Sequence, residues 1–145
     1  MFSVQEFKTR SNNRFNTLTI ELVSIYLTRY LPALTKTPNV PASMAAKMIP
    51  HWSVYQYGRM ADIVLKTAGI TSYKDFGDAI FLLVDLGMLT KEADDSIQPF
   101  IDQDRDRKFS ATVKELMAHY VNIHMSEKAK IIEKVNETNP YHRKI

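Results

Sequence analysis

The sequence predicts an all-α, or nearly all-α, single domain. Three observations predict it. Apolar residues recur at three- and four-residue steps through several separate segments, which is the signature of helices with one buried face. Only four glycines and six prolines occur in 145 residues, too few for the many turns of an all-β chain. All four glycines, Gly58, Gly69, Gly77 and Gly87, fall in one stretch, and three of them stand where a helix is expected to stop. The length suits one domain with one continuous core. A composition of 45% hydrophobic and 24% charged residues argues against disorder over most of the chain.

The first helix is expected over residues 13–34, capped by Asn12 or Asn13, with Phe15, Leu18, Leu22, Ile25, Tyr26, Tyr30 and Leu34 along its buried stripe. Pro38 and Pro41 then force a loop. A second pattern runs from Ala42 to Tyr57, and Pro50 inside it must kink or split it. A third covers 60–68, burying Met60, Ile63, Val64 and Leu65, and ends at Gly69. A fourth covers 73–86, with Thr71 or Ser72 as cap, Phe76, Ala79, Ile80, Leu83 and Val84 on one face, and Gly87 as stop. Residues 88–109 lose the period and read as loop, with a short strand or helical turn near Ile97–Ile101. From Ser110 a long helix is expected to continue, or to restart at Ser126, as far as 138. The domain therefore spans 1–138, and 139–145 form a flexible basic tail. Helix, turn, helix and extended segment in that order allow a winged-helix-like core.

Residues 40–109 carry a set of short motifs: Gln56-Tyr57-Gly58, Met60-Ala61, Val64-Leu65, Gly69-Ile70, Asp75-Phe76-Gly77, Phe81-Leu82-Leu83-Val84 and Gly87-Met88-Leu89. In this spacing they resemble a family of small uncharacterised bacterial helical domains. The resemblance implies a helical fold and no particular activity. Physically, Gly58, Gly69 and Gly87 read as helix terminators, and Gly77, which costs about 1 kcal/mol against alanine inside a helix, reads as a site of close helix approach. Asp75 suits the positive end of its helix, and Phe76 belongs to the core face.

Several function classes drop out. Zero cysteines exclude disulfides, thiolate metal sites and cysteine nucleophiles. The first twenty residues lack an apolar core and cleavage site of the secretory kind, and no apolar run nears the roughly 18 residues of a membrane span. A cytoplasmic location without membrane contact is expected. Asp75-Phe76-Gly77 spells a kinase triplet without the other kinase motifs. Asp102, Asp104 and Asp106 match positions 1, 3 and 5 of a calcium loop, but Arg107 stands where glycine is needed and Val113 where glutamate is needed. His119 and His124 are five apart and diverge on a helix. No catalytic, cofactor-binding or metal-binding residue is therefore assigned, and the chain is read as not an enzyme.

Charge is uneven. Residues 1–74 hold nine bases and three acids, 75–106 two bases and nine acids, and 107–145 eight bases and four acids. Such asymmetry concerns partners or internal neutralisation more than fold. The expected interaction surface is the acidic run with Asp94, Asp95, Asp102, Asp104 and Asp106, and exposed tyrosines are expected among Tyr26, Tyr30, Tyr55 and Tyr141. By elimination, the domain acts non-enzymatically through protein contacts, as adaptor, scaffold or regulatory partner, with another protein or a second copy. The alternative is a nucleic-acid-associated helical protein using its basic ends, including Lys128, Lys130, Lys134, Arg143 and Lys144. It is disfavoured because Asp75, Asp78 and Asp85 would sit in the reading helix and repel phosphate.

Overall fold

The computed structural model describes residues 3–36, 40–91 and 95–120. The regular structure among these residues is all helical, with no strand. The chain opens with an unexpected helix, α1 (Val4–Arg10), whose first turn is capped by Ser3 accepting from the Glu6 amide. It buries Phe7, stacked on Phe15 at 5.8 Å. Asn12 and Asn13 do not cap anything; they turn the chain with φ of +56° and +60°, a region asparagine tolerates better than most residues. The next helix therefore starts later than expected. In α2 (Thr17–Ile25) the cap is Asn16, which exchanges hydrogen bonds reciprocally with Thr19.

The helix then passes through a π-helical turn, Tyr26–Tyr30, into α3 (Leu31–Thr35). Pro32 explains the change. It has no N–H for the Thr28 carbonyl, and its ring would clash with that carbonyl in an α-helix. Widening the turn relieves the clash, and the Leu31 amide reaches back five residues to the Tyr26 carbonyl.

Pro50 splits the second pattern, placing α4 (Ala42–Lys47) before Met48 and α5 (Ile49–Tyr57) after it, with proline in the first turn of α5 where no amide is missed. A 3₁₀ turn, Gly58–Met60, leads to α6 (Ala61–Thr67). Met60 and Ile63, expected inside, are about half exposed (52% and 53%). Then α7 (Tyr73–Asp85) begins on Ser72, which accepts from the Asp75 amide. Part of the expected acidic loop is helix, α8 (Gln98–Asp106), which takes in the short strand or helical turn expected near Ile97–Ile101 and extends it. A last helical stretch, α9, covers residues 109–120. The remainder of the expected C-terminal helix, the expected tail and the lysines placed there lie outside the described residues, and no wing strand is found among the described ones.

One buried cluster runs from Phe7 to Val113. At its centre Tyr26 packs on Trp52 at 5.0 Å and edge-on against Phe76 at 5.2 Å, an arrangement that favours aromatic quadrupoles. Its hydroxyl donates to the Ala45 carbonyl of α4. Tyr26 is thus fully buried, as its place on the helix stripe predicts and contrary to its expected place among the exposed tyrosines, and that burial pushes its phenol well above the usual range, with neighbouring Tyr30 and Tyr73 adding to the effect. A second junction ties α2 to the end of α6. Asn16 Nδ2 donates to the Thr67 carbonyl at 2.8 Å and Thr19 Oγ1 to the Ala68 carbonyl at 2.6 Å, satisfying helix-end carbonyls that would otherwise be orphaned.

Candidate functional site

The acidic segment disperses once folded. Asp104 turns inward, its two carboxylate oxygens accepting from the Tyr73 and Lys74 amides at 2.9 Å each. It thereby caps α7 from a helix about thirty residues on and remains half-buried. Asp102 accepts from Gln98 Nε2 at 2.8 Å and lies 3.7 Å from Arg105. Asp106 is exposed and Asp95 half-buried, whereas Asp94 lies outside the described residues. Because 102, 104 and 106 stand on a helix, successive carboxylates point about 200° apart, unlike the convergent oxygens of a calcium loop. Among the described residues no group of three or more His, Asp or Glu is placed to share a metal ion.

The acids of α7 answer the basic N-terminal segment. Arg14 pairs with Asp75 and, at 3.1 Å, with Asp78, which also takes Lys74 at 3.0 Å. Asp75 accepts in addition from the Thr71 amide and hydroxyl, both at 2.8 Å. Burial alone would raise its pKa, but the Thr71 hydrogen bonds and the Arg14 charge outweigh that and hold the carboxyl below its ordinary value. Phe76, next in sequence, is fully buried.

Gly77 faces α8 directly. A Cβ there would stand 2.5 Å from Ile97 Cδ1 and 2.7 Å from Phe100 Cγ. Gly69 has φ of +79° and lies against the Arg14 carbonyl, 2.0 Å from where a Cβ would be; Gly87, at +80°, has open space around it. Gly58 (φ +54°) meets the Tyr120 ring of α9. Hence Gly77 and Asp104 form the joint between α7 and α8, while Asp75 ties α7 to Arg14 and Phe76 packs on Tyr26 and Trp52.

Besides these acids, of which Asp75, Asp78 and Asp104 are engaged, a second distinctive surface lies elsewhere. From Leu22 to Ala61 the chain contains no acid and carries Arg29, Lys36, Lys47 and Arg59, all exposed. Five of the seven exposed large hydrophobics in the described residues, Leu34, Met44, Tyr55, Met60 and Ile63, fall within residues 34–63. Tyr55 is 72% exposed and holds ring contact with Tyr30 at 5.7 Å. Reading for charge runs favours blocks of like sign, so forty residues with sparse cations and no counter-charge went unremarked; the missing acids were the available signal.

A cleft of about 270 Å³ opens beside the π-helical turn, walled by Leu27, Leu31, Ile80, Val84 and Leu89, with Lys91 and Asp95 at its edge. Its lining is mostly aliphatic, and Thr28 and Thr90 contribute hydroxyls. No helix among the described residues is long and apolar enough to cross a membrane. Compared with protein-family models, with curated proteins and with solved structures, this chain matches none.

Proposed function

We propose that this chain is a non-enzymatic protein-interaction domain, serving as an adaptor, scaffold or regulatory partner. One observation carries the reading. The acid-free stretch from Leu22 to Ala61 exposes large apolar side chains and cations together. Apolar surface left in water is unfavourable by about 25 cal/mol per Å², so its concentration within one part of a chain favours a partner that covers it. The fully buried aromatic centre around Tyr26 and Trp52 supports that surface as a rigid platform, which limits the entropy lost on binding.

Affinity capture from native host lysate, with and without nuclease, tests the proposal. Protein partners retained at stoichiometric level after nuclease treatment are the expected result. Capture that disappears with nuclease would replace this function by nucleic-acid association through the basic elements.

A further inference from the structure

We propose that the stripe Met44–Lys47–His51–Tyr55, with Arg29 and Tyr30 beside it, docks an acidic protein segment that carries apolar side chains among its carboxylates. This identifies the partner chemistry of the interaction proposed above and rests on that reading. The four residues are spaced by three, four and four along α4 and α5, and such positions share one side of a helix. Helical register survives the break at Pro50, because the Met48 amide reaches the Met44 carbonyl at 3.1 Å and the Trp52 amide the Met48 carbonyl at 2.9 Å. Each of the four is exposed, while Ile49 and Trp52 between them are fully buried and fix the rotation of the helix. Tyr55, although largely in solvent, is held by Tyr30. Arg29, adjoining Tyr30 in the π-helical turn, adds a second cation.

The occupant follows from what the stripe lacks. No acid lies between Leu22 and Ala61 to neutralise it, and the ion pairs among the described residues use Arg10, Arg14, Lys74 and Arg105, not Arg29 or Lys47. A second copy is the weaker match. Asp75 and Asp78 are committed to Arg14, and Asp104 caps α7, while a net charge of +3 makes two copies repel. A nucleic-acid backbone would satisfy the cations but leave Met44 uncovered. An acidic segment with interspersed apolar residues satisfies both kinds of group, in the helix-in-groove or extended manner.

Three labelled probes discriminate by fluorescence anisotropy: an amphipathic peptide of about 15 residues, enough for a marginal helix, with leucine and phenylalanine on one face and glutamate on the other; its twin with glutamine for glutamate; and a thymidine oligonucleotide. The acidic peptide is expected to bind at least about tenfold more tightly than either control, and to weaken several-fold as salt screens the charges. The double variant Lys47→Glu, Tyr55→Ala should lose about tenfold at unchanged melting temperature, since both side chains are exposed. Equal binding of the glutamine twin, tighter binding of the oligonucleotide, absence of binding, or full affinity in the double variant each overturns the proposal. So does sedimentation showing a dimer that the double variant dissolves. If nuclease-resistant partners are captured equally well by the double variant, this inference fails while the interaction function stands.

Discussion

Replacing Gly77 by alanine sets two effects of opposite sign against each other. Inside a helix the substitution is favourable by about 1 kcal/mol. Against it, the new methyl would lie 2.5 Å from Ile97 Cδ1 and 2.7 Å from Phe100 Cγ. Ile97 Cδ1 is the free end of a flexible chain and can swing aside. Phe100 Cγ is bonded directly to its own Cβ, and the ring is 2% exposed, so relief requires α8 to move away from α7. Overpacking of this kind costs about 1–3 kcal/mol, and the rigidity of the obstacle argues for the upper part of that range. A net loss of about 1–2 kcal/mol follows, or about 0.5–1 M in urea midpoint for a slope of about 2 kcal/mol/M. Leucine at the same position should lose more. The control is the Phe100→Ala background, where the obstructing ring is gone and Gly77→Ala should become stabilising by up to about 1 kcal/mol. Urea unfolding followed by Trp52 fluorescence reads all four corners of the cycle. A Gly77→Ala protein more stable than wild type in the Phe100 background would refute the close-contact argument.

Asp104→Ala should cost about 0.5–2 kcal/mol, the range for losing a helix cap, whereas exposed Asp106→Ala should leave the urea midpoint unchanged; equal effects would remove the capping role. Asp75, with its pKa held below the unfolded value, stabilises fully above that unfolded value of 3.8 and loses its contribution as pH falls through the folded value. Asp75→Asn should therefore be less stable at pH 7 and show a flatter acid limb, and parallel pH profiles would contradict this. Gly87→Ala should cost about 1–2 kcal/mol for its left-handed backbone alone. Gly69→Ala adds a collision with the Arg14 carbonyl and should unfold the protein far more severely in the same urea assay.

How much of this was legible in the sequence differed by element. The α7 segment was, because Ser72, a three-and-four apolar period and Gly87 agree on its limits. Pro50 announced a break and Met48 marks where it falls. The first helix escaped because α1 buries only Phe7, although Ser3 and Glu6 stand at capping-box spacing. α8 was legible only as a short strand or helical turn for a related reason: it buries only Phe100 among polar residues, so its full length depends on packing against Gly77, about twenty residues away in sequence. The same distance hid the candidate site. As a string, Asp102 to Asp106 looks like a solvated acidic loop. Only the fold brings Asp104 to the start of α7, and only the fold shows which side of α4 and α5 is left exposed.

The joint between α7 and α8 has a consequence for how the protein opens. Tyr73 and Lys74 give their amides to Asp104, across about thirty residues, but the next amide, Asp75, goes to Ser72 within its own turn. If α8 lifts as a unit, the first two amides lose their acceptor together with Phe100 losing its seat on Gly77, and the third stays protected. Adjacent amides at one helix end therefore belong to different opening units. In native-state hydrogen exchange, Tyr73 and Lys74 would share the exchange rate of α8, set by a helix that follows them in the chain, while Asp75 would exchange with α7 itself.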